Sequence, residues 1–301
     1  MYVWKDGSVI FSLKQGLADS ITFADPLLKQ KFSVAADKQV RFSPGNLQYN
    51  DYSGEWRFAE HQYDVVGADN ANIADFWDGW IDLFGWATCG WDPYFLPTST
   101  STDYTDYLVG GAWDNNIPPM GDWGYVNPIS NGGNADYLWR TPSSQEWDYL
   151  LAGRPNASAL FGLATVNGQK GLVILPDAWQ LPAGAKFTPS TQSRLVYSNG
   201  LYEDADLVAD NYADNVYSLT EWTRMESAGA IFLPAAGRRW GVSVYNLDQN
   251  PWGVYWSTTT GAQEREGNVR ALSFYVSGVT PLAETCRAWG CSVRVVQDVE
   301  Q

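Results

Sequence analysis

The sequence predicts a mixed α+β fold with two helices, short antiparallel sheets and long loops, preceded by a small N-terminal β extension. Three observations lead there. Segments near residues 141–151 and 219–226 carry helix-start signals, and several short runs either alternate or are wholly apolar, as strands are. Between Asp64 and Asn134 periodicity disappears, and Gly, Asn, Asp and Pro alternate with Trp77, Trp80, Phe84, Trp86, Trp91, Trp113 and Trp123. So long a loop region in a compact domain needs anchors, and buried tryptophans are the candidates.

In chain order, Tyr2-Val3-Trp4 and Val9-Ile10-Phe11-Ser12-Leu13 flank an Asp6-Gly7 hairpin signal, and Ser20-Ile21-Thr22-Phe23 is expected to add a third strand. Three short strands are marginal alone, so residues 1–30 are expected to pack on the main domain, residues 31–301, or to end a longer protein. Residues 38–43 and 47–49 alternate as strands, and Glu55-Trp56-Arg57-Phe58 is expected to pair with the second of them. Thr141 is the expected cap of the first helix, with Pro142 at its first position, Glu146 at the positive end of its dipole and Gly153 as its stop. Trp147, Leu150 and Leu151 would share its buried face. Short apolar strands are read at residues 171–176 and 231–234, the latter following a helix over 219–226 that Gly229 ends. Further strands are read at residues 253–257 and 292–296, and in Ala271-Leu272-Ser273-Phe274-Tyr275 alternation assigns Leu272 and Phe274 to the core and Ser273 and Tyr275 to the open face.

Composition limits the partners. With 34 acidic and 19 basic residues the net charge is −15, which opposes binding to nucleic acid or anionic lipid. Aromatic residues reach 15% and charged residues only 18%, a balance that suits binding surfaces, because rings give contact area at low entropy cost. No run of about 18 apolar residues is present, so no membrane insertion is expected. Nothing at the start reads as a basic-then-apolar leader, so export by another route, or after leader removal, is the expectation. Three cysteines, Cys89, Cys286 and Cys291, are too few for a disulfide framework.

Several motifs together resemble a family. Leu138-Trp139-Arg140-Thr141-Pro142-Ser143-Ser144-Gln145-Glu146-Trp147, Glu221-Trp222-Thr223 and Ser292-Val293-Arg294-Val295-Val296 resemble landmarks of proteins related to the formylglycine-generating enzyme. Phe42-Ser43-Pro44-Gly45-Asn46-Leu47-Gln48-Tyr49, Trp80-Ile81-Asp82-Leu83-Phe84-Gly85-Trp86, Leu233-Pro234-Ala235-Ala236-Gly237-Arg238 and Tyr255-Trp256-Ser257-Thr258 resemble surface proteins of gut Bacteroidetes and their phages, several of them variable proteins of diversity-generating retroelements. The resemblance spans about residues 40 to 297 and implies a C-type-lectin-like fold. It also implies a non-enzymatic receptor-binding or adhesin-like role, extracellular, on a cell surface or on a phage particle. Its partner would be a protein or glycan ligand on a cell surface, and its oligomeric state is left open. In such proteins the last sixty or so residues carry the diversified side chains. The implied ligand-binding residues here are Trp240, Val242, Tyr245, Asn246, Leu247, Trp252, Gln263, Arg265, Glu266, Ser273, Tyr275, Glu284, Arg287 and Trp289. Adenine-directed mutation of Asn codons keeps a third-position pyrimidine and never yields Gln, Glu or Trp, so Gln263, Glu266, Glu284 and Trp289 would be template-fixed or belong to an ordinary relative.

Chemistry was weighed beside binding. Cys286 and Cys291 have the Cys-x4-Cys spacing of the copper pair in formylglycine-generating enzymes, so a copper-dependent oxidase is the alternative. Against it, Cys291 directly precedes the last strand and no Arg-Gly-Gly-Ser segment lies ahead; two cysteines on a variable face, joined across a tight loop, are the favoured reading. His61 is the only histidine, which excludes multi-histidine metal sites and leaves a packed, hydrogen-bonded side chain as the expectation. Glu203, Asp204, Asp206, Asp210 and Asp214 offer oxygen ligands for calcium but match no calcium-loop spacing and read as a solvated acidic loop. No metal or cofactor is therefore expected.

Overall fold

The computed structural model describes residues 30–73, 77–190, 211–245, 247, 251–261, 267–276 and 278–299, with the backbone alone of four short strands at 2–5, 8–12, 196–198 and 201–203. Strands β1 (Tyr2–Lys5) and β2 (Ser8–Ser12) form the antiparallel hairpin that Asp6-Gly7 signals. The third strand expected at residues 20–23 lies outside the described residues. From there on, β3 (Phe32–Ala35) and β4 (Lys38–Phe42) pair as a hairpin, and β5 (Leu47–Asn50) pairs with β6 (Glu55–Phe58) as expected, with Tyr49 opposite Trp56.

After the long irregular stretch come β7 (Phe161–Val166) and β8 (Gln169–Ile174), whose tight turn puts Asn167 and Gly168 at φ of 49° and 83°. β9 (Val196–Ser198) and β10 (Leu201–Glu203) make a small hairpin. β11 (Val216–Tyr217) and β12 (Ile231–Pro234) flank the β7–β8 hairpin in the order β11-β7-β8-β12, with only the β11–β7 pairing parallel. β13 (Arg238–Trp240) and β14 (Ser243–Tyr245) turn about Gly241 at φ 58°. A meander of β15 (Gly253–Thr260), β16 (Asn268–Tyr275) and β17 (Gly278–Cys286) follows, and β18 (Val296–Asp298) returns to pair with β4. The fold is α+β as expected.

Among the described residues there are three α-helical segments rather than two. The extra one, α1 (Trp123–Val126), is a single turn capped by the Asp122 carboxylate accepting from Gly124 N, too short to show periodicity. In α2 (Ser144–Asp148) the cap is Ser143, not Thr141. Ser143 Oγ accepts from Glu146 N while the Glu146 carboxylate accepts from Ser143 N, a reciprocal capping box. Thr141 instead binds the buried Asp122 through its backbone N–H and its hydroxyl. α2 widens into a π turn, Tyr149–Gly153, and Trp147, Leu150 and Leu151 are fully buried as read. α3 (Leu219–Ser227) repeats the capping box with Ser218 and Glu221.

Backbone polar groups in a loop need partners that a sheet would otherwise supply. Here indole N–H groups tie the irregular stretch and its neighbours to carbonyls. Trp86 donates to Ser257 O at 2.9 Å, Trp123 to Thr88 O at 3.0 Å, Trp139 to Gly132 O at 2.7 Å, and Trp256 to Phe84 O at 2.6 Å. Trp86, Trp123 and Trp256 are fully buried in one core cluster, so each ring fills volume and closes a backbone contact at once.

A carboxylate fastens the start of this stretch. Asp82 is fully buried; its Oδ2 accepts from Val66 N at 2.9 Å and its Oδ1 from Asn70 Nδ2 at 2.8 Å. Desolvation pushes its pKa up from 3.8 to about 6, the hydrogen bonds opposing only in part. An acid whose folded pKa is raised favours folding when protonated. The penalty is full above about pH 6, shrinks as pH falls through that value and is gone below about pH 4, a span of about 3 kcal/mol. Between about pH 7 and about pH 5, wild type should therefore gain roughly 1 kcal/mol more stability than Asp82→Asn, as read from urea midpoints. Equal pH slopes would show that Asp82 stays ionised in the native state over this range and that its pKa is not raised.

Candidate ligand-binding face

Strand alternation builds the site. On β13, Arg239 points inward and is buried, so Arg238 and Trp240 share the outer face; pairing places Tyr245 opposite Arg238 on that face. Arg239 is the bolt behind it. It donates to Gly241 O at 2.6 Å, Ser99 O at 3.0 Å and Leu83 O at 3.3 Å, and desolvation lowers its pKa to about 10. Its backbone pairs with Gly290, which brings the 287–290 turn, and with it Trp289, alongside β13. Gly237 N donates to Trp252 O at 2.9 Å and so seats Trp252 on the other side of Arg238.

The result is a continuous row of rings. The Arg238 guanidinium lies between Trp252 and Trp289, 4.3 and 4.1 Å from their ring centroids. Trp289 meets Trp240 at 4.8 Å and the edge of Tyr245 at 5.8 Å, while Trp252 meets Tyr275 at 5.4 Å. Trp240, Trp252, Tyr275 and Trp289 are half-buried; Tyr245 and Val242 are 45% and 57% exposed. Trp252 and Trp289 rest on the core cluster that holds Trp86 and Trp256, so both rings are rigid from below and open above. Trp252 Nε1 donates to Ser273 Oγ at 2.7 Å, which fixes the indole further.

Six of the sequence-predicted residues thus meet: Trp240, Tyr245, Trp252, Ser273, Tyr275 and Trp289. Ser273 does lie opposite the core side of β16, but the Trp252 ring covers it and leaves it 5% exposed, so it supports the face rather than displaying itself. Arg287 is a correction. It is fully buried, 5.0 Å from the Trp86 ring centroid, with Nη2 donating to Trp113 O at 2.8 Å, and desolvation lowers its pKa. Glu284 stands opposite Arg270 on the neighbouring strand, 3.3 Å away in an ion pair, toward the far end of that ladder from Tyr275. Leu247 is half-buried, and Asn246, Gln263, Arg265 and Glu266 lie outside the described residues.

Arg238, the centre of the row, was not among the residues singled out. The signal was present in its alternation with Trp240 on a three-residue strand bounded by Gly237 and Gly241.

The cysteines are free thiols, which overturns the cross-loop disulfide. Cys291 lies in the core, hydrogen-bonded through its backbone to Phe84, and burial holds its thiol far above the ordinary range; Cys286 is raised by the same cause, and Cys89 is pushed up to about 12. Burial thus disfavours the thiolate form at both members of the Cys-x4-Cys pair. His61 is half exposed, stacked on Tyr63 at 5.0 Å with Nδ1 3.1 Å from Asp64, hydrogen-bonded as read but not packed inside. Of the acidic run, Asp204, Asp206 and Asp210 lie outside the described residues and Asp214 is exposed. Among the described residues no group of three His, Cys, Asp or Glu side chains is placed to hold a metal, and no helix is long and apolar enough to cross a membrane. Comparison of the chain with protein-family models, with curated proteins and with solved structures finds no match.

Proposed function

We propose that the chain is a non-enzymatic binding protein of C-type-lectin-like fold, whose C-terminal face reads a protein or glycan on a cell surface in the manner of retroelement-diversified variable proteins. The observation that carries this reading is the half-open row of four rings clasping Arg238, with Tyr245 at its edge. Rigid aromatic rings and arginine on a supported surface are the side chains that dominate protein recognition. Alternation along β13 and the pairing of β14 give the face a fixed frame and turn Arg238, Trp240 and Tyr245 outward from it.

The test is an array of glycans and cell-surface proteins probed with the purified chain and with the double variant Trp252→Ala, Trp289→Ala. Each ring is expected to contribute about 2 kcal/mol, so the double variant should lose any specific hit by several hundred-fold or more while staying folded. Unchanged binding by a folded double variant would sink the reading. The adjoining DNA bears on diversification, where a reverse transcriptase and an adenine-biased template repeat are the expected companions.

A further inference from the structure

A second cavity, of about 720 Å³, opens away from the ring row between the β5–β6 hairpin and the stretch that Asp82 fastens. One wall is built by pairing. Gln48 stands opposite Arg57 in the β5–β6 register and accepts from Arg57 Nε at 2.9 Å, and the guanidinium lies 3.5 Å over the Trp80 ring. Gln48 is only 4% exposed, and its amide nitrogen has no other hydrogen-bond partner among the described residues, so its N–H groups remain for an occupant. Trp77 adds an apolar wall, and Glu60, Asp64 and Asp69 also line the cavity. The Asp64 carboxylate is held by His61 N at 2.9 Å, and Val66, next to it, by Asp82.

Each ligand class meets these walls differently. Three carboxylates against one guanidinium repel phosphates, sulfates and acidic sugars. An apolar ligand would strip water from carboxylates, amide and guanidinium without replacing their hydrogen bonds. A cation is drawn to the carboxylates, but it finds the Trp80 ring already carrying Arg57 and offers no acceptor to the Gln48 and Arg57 N–H groups. An uncharged, polyhydroxylated ring satisfies all of them. Its hydroxyls donate to the carboxylates and accept from Arg57 and Gln48, and its C–H face lies on indole. The volume sits within the range of small-ligand pockets and admits one or two such rings. We infer that this cavity binds a neutral saccharide of one or two units, independently of the C-terminal face.

The experiment titrates the full chain by calorimetry and tryptophan fluorescence with glucose, galactose, mannose, N-acetylglucosamine and the disaccharides lactose and cellobiose. Glucuronate and tetramethylammonium serve as charged counterparts. Saturable binding of at least one neutral sugar is expected, with a dissociation constant of roughly 1 to 10 mM, ordinary for a ligand of about a dozen non-hydrogen atoms. It should weaken at least about tenfold in Gln48→Ala and in Asp69→Asn and be unchanged in the Trp252→Ala, Trp289→Ala double variant. Asp69 is exposed, so its variant keeps the test valid should Gln48→Ala misfold. Absence of saturation by every neutral sugar, preference for glucuronate or tetramethylammonium, or loss in the ring-row variant instead of Asp69→Asn would each overturn the inference. Failure of the ring row to bind any array ligand would leave this result untouched.

Discussion

Arg287→Ala should strongly destabilise the fold, not change what it binds. The side chain is fully buried, lies against Trp86 and donates to Trp113 O at 2.8 Å, a carbonyl of the irregular stretch. Its own backbone accepts from Trp86 N and donates to Gly267 O, so the guanidinium sits where three segments meet. A hydrogen bond from a charged donor contributes about 1.5–3 kcal/mol, and truncating a large core side chain costs about 2–5 kcal/mol. A loss of about 4 kcal/mol is expected, a large part of the 5–15 kcal/mol typical of domains. Urea denaturation measures it. A midpoint within error of wild type would return Arg287 to the surface and to the display set. The contrast with Trp289, two residues on, is the informative one, because its truncation should spare stability and remove binding.

Arg294→Met is expected to cost about 3 kcal/mol although methionine roughly fills the space. Arg294 is completely buried, and desolvation lowers its pKa to about 10, still charged at neutral pH. Its Nη2 donates to Gln62 Oε1 at 2.7 Å and its Nη1 to Asn46 Oδ1 at 3.3 Å. Gln62 also accepts from Phe232 N and donates to Glu226, while Asn46 donates to the Tyr255 hydroxyl, which donates to Pro234 O. One cation therefore holds the loop after β6, the segment before β5 and the β12 region in mutual register. Methionine leaves two buried acceptors short of a donor. Gln62→Leu, which also strands Phe232 N, should cost less in the Arg294→Met background than in wild type, a coupling of about 1–3 kcal/mol in a double-mutant cycle. Strict additivity of the two substitutions would show that the hydrogen bond carries no energy of its own.

The sequence made local signals readable and left non-local ones hidden. Both longer helices are legible, the first from Thr141-Pro142, which reads as a start in its own right and sets the cap two residues early. Ser143 and Ser218, each three residues before a glutamate, are the signals that went unread. β5, β6, β12 and β15 were found from apolar pattern. β7 was missed despite its Asn167-Gly168 turn, and β17 because it carries Pro281, tolerated where the strand is the edge of its sheet. At the candidate face, strand alternation assigned Ser273 and Tyr275 to the right side of β16. It gave no hint that Trp252 would roof one of them, because that contact comes from outside β16, from the residue just before β15. Arg287 came to the display set by resemblance alone, and its burial depends on a distant carbonyl partner that nothing local in the sequence shows.

The pairing of β18 with β4 has a consequence for biosynthesis. Val296 lies against Phe42, so the sheet that β3 and β4 begin has its outer strand supplied more than two hundred residues later. While the chain is being made, β4 has β3 on one side and an open edge on the other, and the segment carrying Arg294 has not yet arrived to join the loop after β6. Closure of so distant a pair is slow, and the open edge is a site for wrong pairing until residue 298 has left the ribosome. The protein is therefore expected to complete its fold only after that point, with earlier lengths dependent on chaperones.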